Sequence, residues 1–324
     1  MKQHKKILST LLKLAIGIGS FAFIYIRLKD GFTQENIQEL TNILSSKKSL
    51  ICLVIALILI PFNWGIESYK WQIICSPIEK INFSTAMKSV YSGVCMGNLA
   101  PGRSTEFLAK IFFFKSENRP MITVLHFING LFQFSITILI GLTALSFKIK
   151  DFNLEFNWIV YSIILGGLIM LLLLFICIKK ISSILNYVSK KLNKKFVLND
   201  FKYKFYNKTI AKLIIFSALR YMVFFLQLNL LIYILNPEAF TSSIFISIAI
   251  YFLITSIIPM ISIIEAAIRT AIALFVFKGV AINQSHLALS IIMLWLFNIV
   301  LPSIVGYIIL VKQDFNFKLT ALKK

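Results

Sequence analysis

The chain has 324 residues, 58% hydrophobic and 15% charged, with a mean hydropathy of +0.83 and a formal net charge of +21. A soluble domain carries about 25% charged and about 45–50% apolar residues, so this composition excludes an ordinary soluble fold. The positive charge lies between apolar segments and not on a soluble module with interleaved aromatics, which removes a nucleic-acid reading.

The N-terminal stretch MKQHKKILSTLLKLAIGIGSFAFIYIRL has a basic head and an apolar body. No small-x-small cleavage site follows it, so it is expected to be a retained first helix rather than a signal peptide. A full crossing needs about 20 apolar residues. Six segments qualify: Leu11–Leu28, Leu50–Ile74, Pro120–Phe147, Trp158–Ile178, Ile210–Leu235 and Gln284–Val311. Windows such as LICLVIALILIPF and LGGLIMLLLLFICI are apolar on every face, as lipid-embedded helices are.

Two further apolar stretches are broken near the middle by a proline, Ser84–Phe114 at Pro101 and Thr241–Phe277 at Pro259. The half after Pro101 has 14 residues, about 21 Å of helix, short of a hydrocarbon core about 30 Å thick. Each stretch is therefore expected to be a helical hairpin, the first re-entrant and the second of borderline length. The fold class that follows is an all-α polytopic membrane protein, a single membrane domain over residues 1–324.

Order of elements gives a repeat: span, span, broken pair, span occurs within residues 1–147, and again from the fourth span (148–178) to the end (209–324). Three full crossings per unit make the second copy inverted. Inverted repeats with interrupted segments at matching positions point to a transporter site near the midplane. Between the halves, residues 179–208 carry nine lysines and one acid, Asp200, with Ile181, Ile184, Leu185, Val188, Leu192 and Phe196 at helical spacing. This loop is expected to be a cytoplasmic amphipathic helix that attracts anionic lipid headgroups. Basic residues around 2–6, 70–88, 110–119, 179–208 and 312–324 all fall on one side, while the Arg27–Lys48 and Lys148–Glu155 loops are nearly balanced. Both termini are then cytoplasmic under the positive-inside rule.

The residues that stand out chemically are ionisable ones inside the apolar segments. After Pro101 comes GRSTEFLAK, with Glu106 and Lys110 at i, i+4; after Pro259 comes MISIIEAAIR, with Glu265 and Arg269 at i, i+4. That spacing places each pair on one helix face, acid first. A helix starting just after Pro101 would present unpaired N–H groups beside Arg103, Ser104 and Thr105, which suits an anion, phosphate above all. Either the pairs line a translocation path or they only staple the half-helices together; spacing leaves both open. Arg220 sits halfway along its span, and Asn63 and Glu67 lie toward the cytoplasmic end of theirs, with Lys70 in reach of Glu67. Trp64, Tyr69 and Trp71 read as interfacial anchors. His126, Asn129, Gln133, Gln227 and Asn298 read as interhelical hydrogen-bond formers.

The expected path residues are thus Asn63, Glu67, Arg103, Glu106, Lys110, Arg220, Glu265 and Arg269, with Pro101 and Pro259 at the helix breaks. No cluster has metal-ligand spacing, no glycine-rich loop cradles a phosphate and no nucleophile has a neighbouring base, so neither enzyme chemistry nor a cofactor is expected. The four cysteines are scattered and imply no disulfide framework.

PGRSTEFLAK, IIPMISIIEAAIRTAIALF and NWGIESYKW together resemble the lysylphosphatidylglycerol synthase transmembrane-region family, also called flippase-like domain proteins. Pro101, Arg103, Glu106, Pro259, Glu265 and Arg269 match its pattern. Thr105 replaces a glycine, and Lys110 stands where arginine is usual. The resemblance implies translocation of a lipid or lipid-linked molecule, such as a polyprenyl-phosphate intermediate, across a bacterial cytoplasmic membrane. It implies no synthase activity, because the aminoacyl transfer of the namesake enzymes resides in a separate soluble domain. An intramembrane transferase or phosphatase acting on a lipid carrier, or a scaffold for a biosynthetic complex, are the alternatives. Expected partners are membrane lipids, with a homo-oligomer or biosynthetic enzymes also compatible.

Overall fold

A computed structural model describes residues 46–100, 103–148, 205–237, 241–258 and 265–313, with a few single positions in 38 and 158–180. The expected first span, most of the fourth span and of the amphipathic loop, Pro101 and Pro259 lie outside the described residues.

Among the described residues every regular element is helical: α1 (Lys47–Cys75), α2 (Phe83–Gly97), α3 (Glu106–Ile111), α4 (Arg119–Lys148), α5 (Asn207–Leu235), α6 (Ser242–Ile257), α7 (Glu265–Val276), α8 (Gln284–Trp295) and α9 (Leu301–Lys312). Helices α1, α4, α5 and the continuous α8–α9 unit are 29 or 30 residues long and apolar enough to cross a membrane. At 1.5 Å per residue each is about 43–45 Å long, well beyond the hydrocarbon thickness. They correspond to the expected second, third, fifth and sixth spans. The protein is a multi-pass, membrane-embedded helical bundle.

The two broken stretches are helix pairs, and their halves run antiparallel. In the first, Ser89 lies against Lys110, Gly93 against Lys110 and Glu106, and Gly97 against Glu106 and Arg103. In the second, Lys148 touches both Ser247 and Val276, while Tyr251 meets Arg269. Helix α2 has 15 residues, about 22 Å, and α3 only 6, so neither can span alone. The helix expected directly after Pro101 begins instead at Glu106, and the chain leaves it through turns from Phe112 to Asn118. A left-handed residue, Arg103 at φ 56°, delays the start. Asn82 caps α2 by accepting a hydrogen bond from Thr85 N (2.7 Å), and Asn283 caps α8 through Ser285 N and His286 N. Glu79 closes the open end of the first hairpin by accepting from Lys115 N and Asn118 Nδ2.

Between α8 and α9 the chain makes a π-helical turn, Leu296–Val300. Pro302 explains it: proline lacks an N–H, and its ring collides with the carbonyl four residues back, that of Asn298, unless the helix widens there.

Two apolar clusters flank the centre of the bundle. One gathers α5, α6 and α8, the other α1, α2 and α4, and Phe297 in the π turn packs on both. The outer face of α1 exposes Ile51, Val54, Ile58 and Phe62 at helical spacing, a surface suited to lipid tails. Lipid is as apolar as the helices, so close contact rather than water exclusion must hold them together. Gly306 lets α9 touch the Tyr91 carbonyl of α2, and Gly141 lets α4 touch Leu253 and Ala249 of α6.

Candidate functional site

Arg220 lies 13 residues from the start of α5 at Asn207 and 15 from its end at Leu235, about 20 Å from either. A guanidinium at that depth cannot reach headgroup water and needs a partner inside the protein. Its Nη1 donates to Glu67 Oε2 (2.9 Å) and its Nε to Asn63 Oδ1 (3.2 Å), both on α1. The Trp64 and Phe224 rings lie 4.9 and 5.4 Å from its central carbon, a cation–π cradle.

Glu67 is the hub. The same Oε2 is 3.1 Å from Lys70 Nζ, while Oε1 accepts from Asn129 Nδ2 of α4 (2.8 Å) and faces Lys110 Nζ of the first hairpin at 3.9 Å. Three cations and an amide from three helices and a hairpin thus converge on one carboxylate. Lys110 is ion-paired with Glu106 (2.8 Å), which also holds Arg103 (3.1 Å). The Lys110 ammonium sits 5.0 Å over the Trp71 ring, whose Nε1 donates to Ser89 Oγ, and Ser89 in turn donates to the Lys110 carbonyl. On the other side Asn63 Nδ2 donates to Asn298 Oδ1, and Asn298 Nδ2 to Gln227 Oε1. The π turn therefore carries the amide that joins α1 to α5.

These groups border a cavity of about 400 Å³ lined by Glu67, Lys70, Arg103, Glu106, Lys110 and Arg220, with His126, Asn129 and Gln133. Next to it lies a second space of about 210 Å³, walled mainly by Tyr221, Phe224, Tyr251, Phe252, Trp295 and Ile299. Trp64, Arg103, Gln133, Thr137 and Ser256 line both. Arg269 of the second hairpin faces this aromatic lobe, held by Glu265 (2.9 Å) and hydrogen-bonded to the Tyr251 hydroxyl.

Of the expected path residues, Glu67, Arg103, Glu106, Lys110 and Arg220 line the charged lobe, Arg269 the aromatic one, and Asn63 and Glu265 are bonded to lining groups. Several expectations need correcting. Trp64 and Trp71 are not interfacial anchors: both are buried inside the protein, whereas Tyr69 is exposed. Lys70 and Lys110, counted as flanking charges, are 0% and 1% exposed and belong to the ion network, as their distances to Glu67 require. Thr105 is no donor to an anion, since its hydroxyl closes the hairpin on the Met96 carbonyl (2.6 Å). With only six residues, α3 gives no helix N-terminus just behind Pro101. Asn129, Gln133, Gln227 and Asn298 do bond across helices, but Asn129, Gln133 and Asn298 border the cavities as well.

Sequence reasoning missed Lys70 as a site residue, although its i, i+3 spacing from Glu67 was the available signal. Tyr251 and the aromatic lobe gave none, because the chain carries 30 phenylalanines and 11 tyrosines along its length.

No curated protein matches the chain in a sequence search. Residues 10–313, nearly its whole length, match the family model described as the lysylphosphatidylglycerol synthase TM region. Because that match runs over most of its length, the chain belongs to this membrane-domain family.

Proposed function

We propose that the protein is a flippase-type transporter, without enzymatic activity, that moves an anionic lipid or lipid-linked intermediate across the bacterial cytoplasmic membrane. The observation that carries this reading is the pairing of a cationic lobe with an adjoining aromatic lobe at the depth of mid-span Arg220. An amphiphile needs both surfaces at once, the first for its headgroup and the second for the start of its tail.

The transporter reading draws further support from α4. Its first residue, Arg119, lies at the open end of the first hairpin beside Asn118, which Glu79 holds. Its last, Lys148, donates to Ser247 and to Val276 O near the open end of the second. The two hairpins then enter from opposite ends of one spanning helix, as an inverted repeat demands. Exposed Lys80, Lys88 and Lys115 gather at the first end, which under the positive-inside rule makes it cytoplasmic and attractive to anionic headgroups.

Translocation of labelled anionic lipid in proteoliposomes tests this. Flux should require the protein and fall at least tenfold in Arg103→Ala and Glu106→Gln; wild-type flux from both variants would remove the site, and no protein-dependent flux would remove the transporter.

A further inference from the structure

We infer that the charged lobe is built for a headgroup bearing two negative charges, a phosphomonoester or pyrophosphate carried by an amphiphile, in preference to a singly charged phosphodiester or a zwitterion. The inference rests on the reading of the cavity as a lipid-headgroup site.

Arg103, Lys110, Lys70 and Arg220 line the charged lobe against Glu67 and Glu106. Arg269 is matched by its own Glu265. Among the described residues this leaves an excess of two positive charges. Lys70 and Lys110 are almost fully buried, and beside them such an excess is costly unless an anion neutralises it. A phosphodiester headgroup brings about one negative charge and leaves one cation uncompensated, whereas a phosphomonoester brings about 1.5 to 2 at neutral pH.

Hydrogen bonding points the same way. Arg103 Nε and Trp64 Nε1 are buried and have no acceptor in the protein, and both residues line both lobes. Buried donors are almost always matched, so two of them at one cavity call for a ligand rich in acceptors. A terminal phosphate supplies three acceptor oxygens and a fork for a guanidinium. The aromatic lobe next to it favours an ester of an apolar chain over the free ion. At about 400 Å³ the charged lobe also falls within the range of small-ligand pockets, about 300–1,000 Å³.

The test is equilibrium binding to the full chain in nanodiscs, with phosphatidic acid, phosphatidylglycerol and phosphatidylcholine of identical acyl chains. Phosphatidic acid should bind roughly tenfold tighter than phosphatidylglycerol, one further unit charge in a poorly screened site being worth at least that factor. Equal affinities would overturn the inference. Inorganic phosphate and pyrophosphate should compete only weakly; if either binds as tightly as phosphatidic acid, the ligand is a free anion and the amphiphile assignment falls. Gln133→Glu lowers the cavity excess to one and should shrink the preference about tenfold. Arg103→Gln removes the same charge by another route and serves if Gln133→Glu does not elute as a folded protein. Lys212→Ala, on the exposed face of α5, should leave the preference unchanged. A preference unmoved by a folded charge variant would sink the charge balance. A dianion preference without flux would remove the transporter reading alone, and flux without preference would remove this inference alone.

Discussion

Glu67 and Arg220, 153 residues apart in sequence, meet at 2.9 Å in the middle of the bundle and tie α1 to α5. Removing one member of a buried pair strands the other, which typically costs about 3–5 kcal/mol. Glu67→Gln, which also leaves Lys70 without its carboxylate and Lys110 with Glu106 alone, should lower stability by that order in detergent melting. Adding Arg220→Gln should recover part of the loss. A double variant whose destabilisation equals the sum of the single ones would show the two residues to be energetically independent.

Two glycines should separate site from scaffold. A Cβ on Gly93 would lie 2.9 Å from the Cγ and Cε atoms of Lys110 and 3.1 Å from Glu106 Cγ, all on flexible side chains. Lys110 is itself buried, so Gly93→Ala should displace the Lys110–Glu106 pair and lower flux as well as the melting point. A Cβ on Gly306 would meet the Tyr91 carbonyl, which is backbone and cannot step aside. Gly306→Ala should cost about 1–3 kcal/mol and shift the melting point. Identical profiles for the two variants would contradict this division.

Lys148 is buried at the end of α4, where its ammonium donates to Ser247 Oγ (2.8 Å) and Val276 O (3.1 Å), holding both halves of the second hairpin. Lys148→Met keeps the apolar stem and deletes the donors, at about 1–3 kcal/mol for the stranded acceptors. Hydrogen exchange should quicken at the ends of α6 and α7 and stay unchanged in α2; uniform exchange across the protein would argue that Lys148 does not latch the hairpin.

The long spans were legible in the sequence because a helix meeting lipid on most sides is apolar on most sides, and Leu50–Ile74 or Ile210–Leu235 needs no partner to be recognised. The hairpin acids and bases were legible because Glu106–Lys110 and Glu265–Arg269 are local, at one turn's spacing. What joins them was not. Glu67 reaches Arg220, Lys110 and Asn129 only through packing of α1 on α2, α4 and α5, and no periodicity encodes that convergence. Lysine was the most misleading residue: Lys70 and Lys148 read as charges bordering the spans, yet both are buried against specific acceptors. The positive-inside count works on loops, and these two lie on helices.

Arg103 closes the first hairpin in a backbone conformation, φ 56°, that glycine adopts freely and other L-residues resist by about 1–2 kcal/mol. At this position the usual order of substitutions should invert: Arg103→Gly should be more stable than Arg103→Ala by about 1 kcal/mol, although both lose the guanidinium. Thermal melting of the two variants beside wild type measures the difference directly, and a less stable glycine variant would refute it. The turn would fold more easily around the smallest residue and instead carries the longest basic one. Position 103 therefore records a compromise, in which ease of folding has been given up to keep one cation between the two lobes.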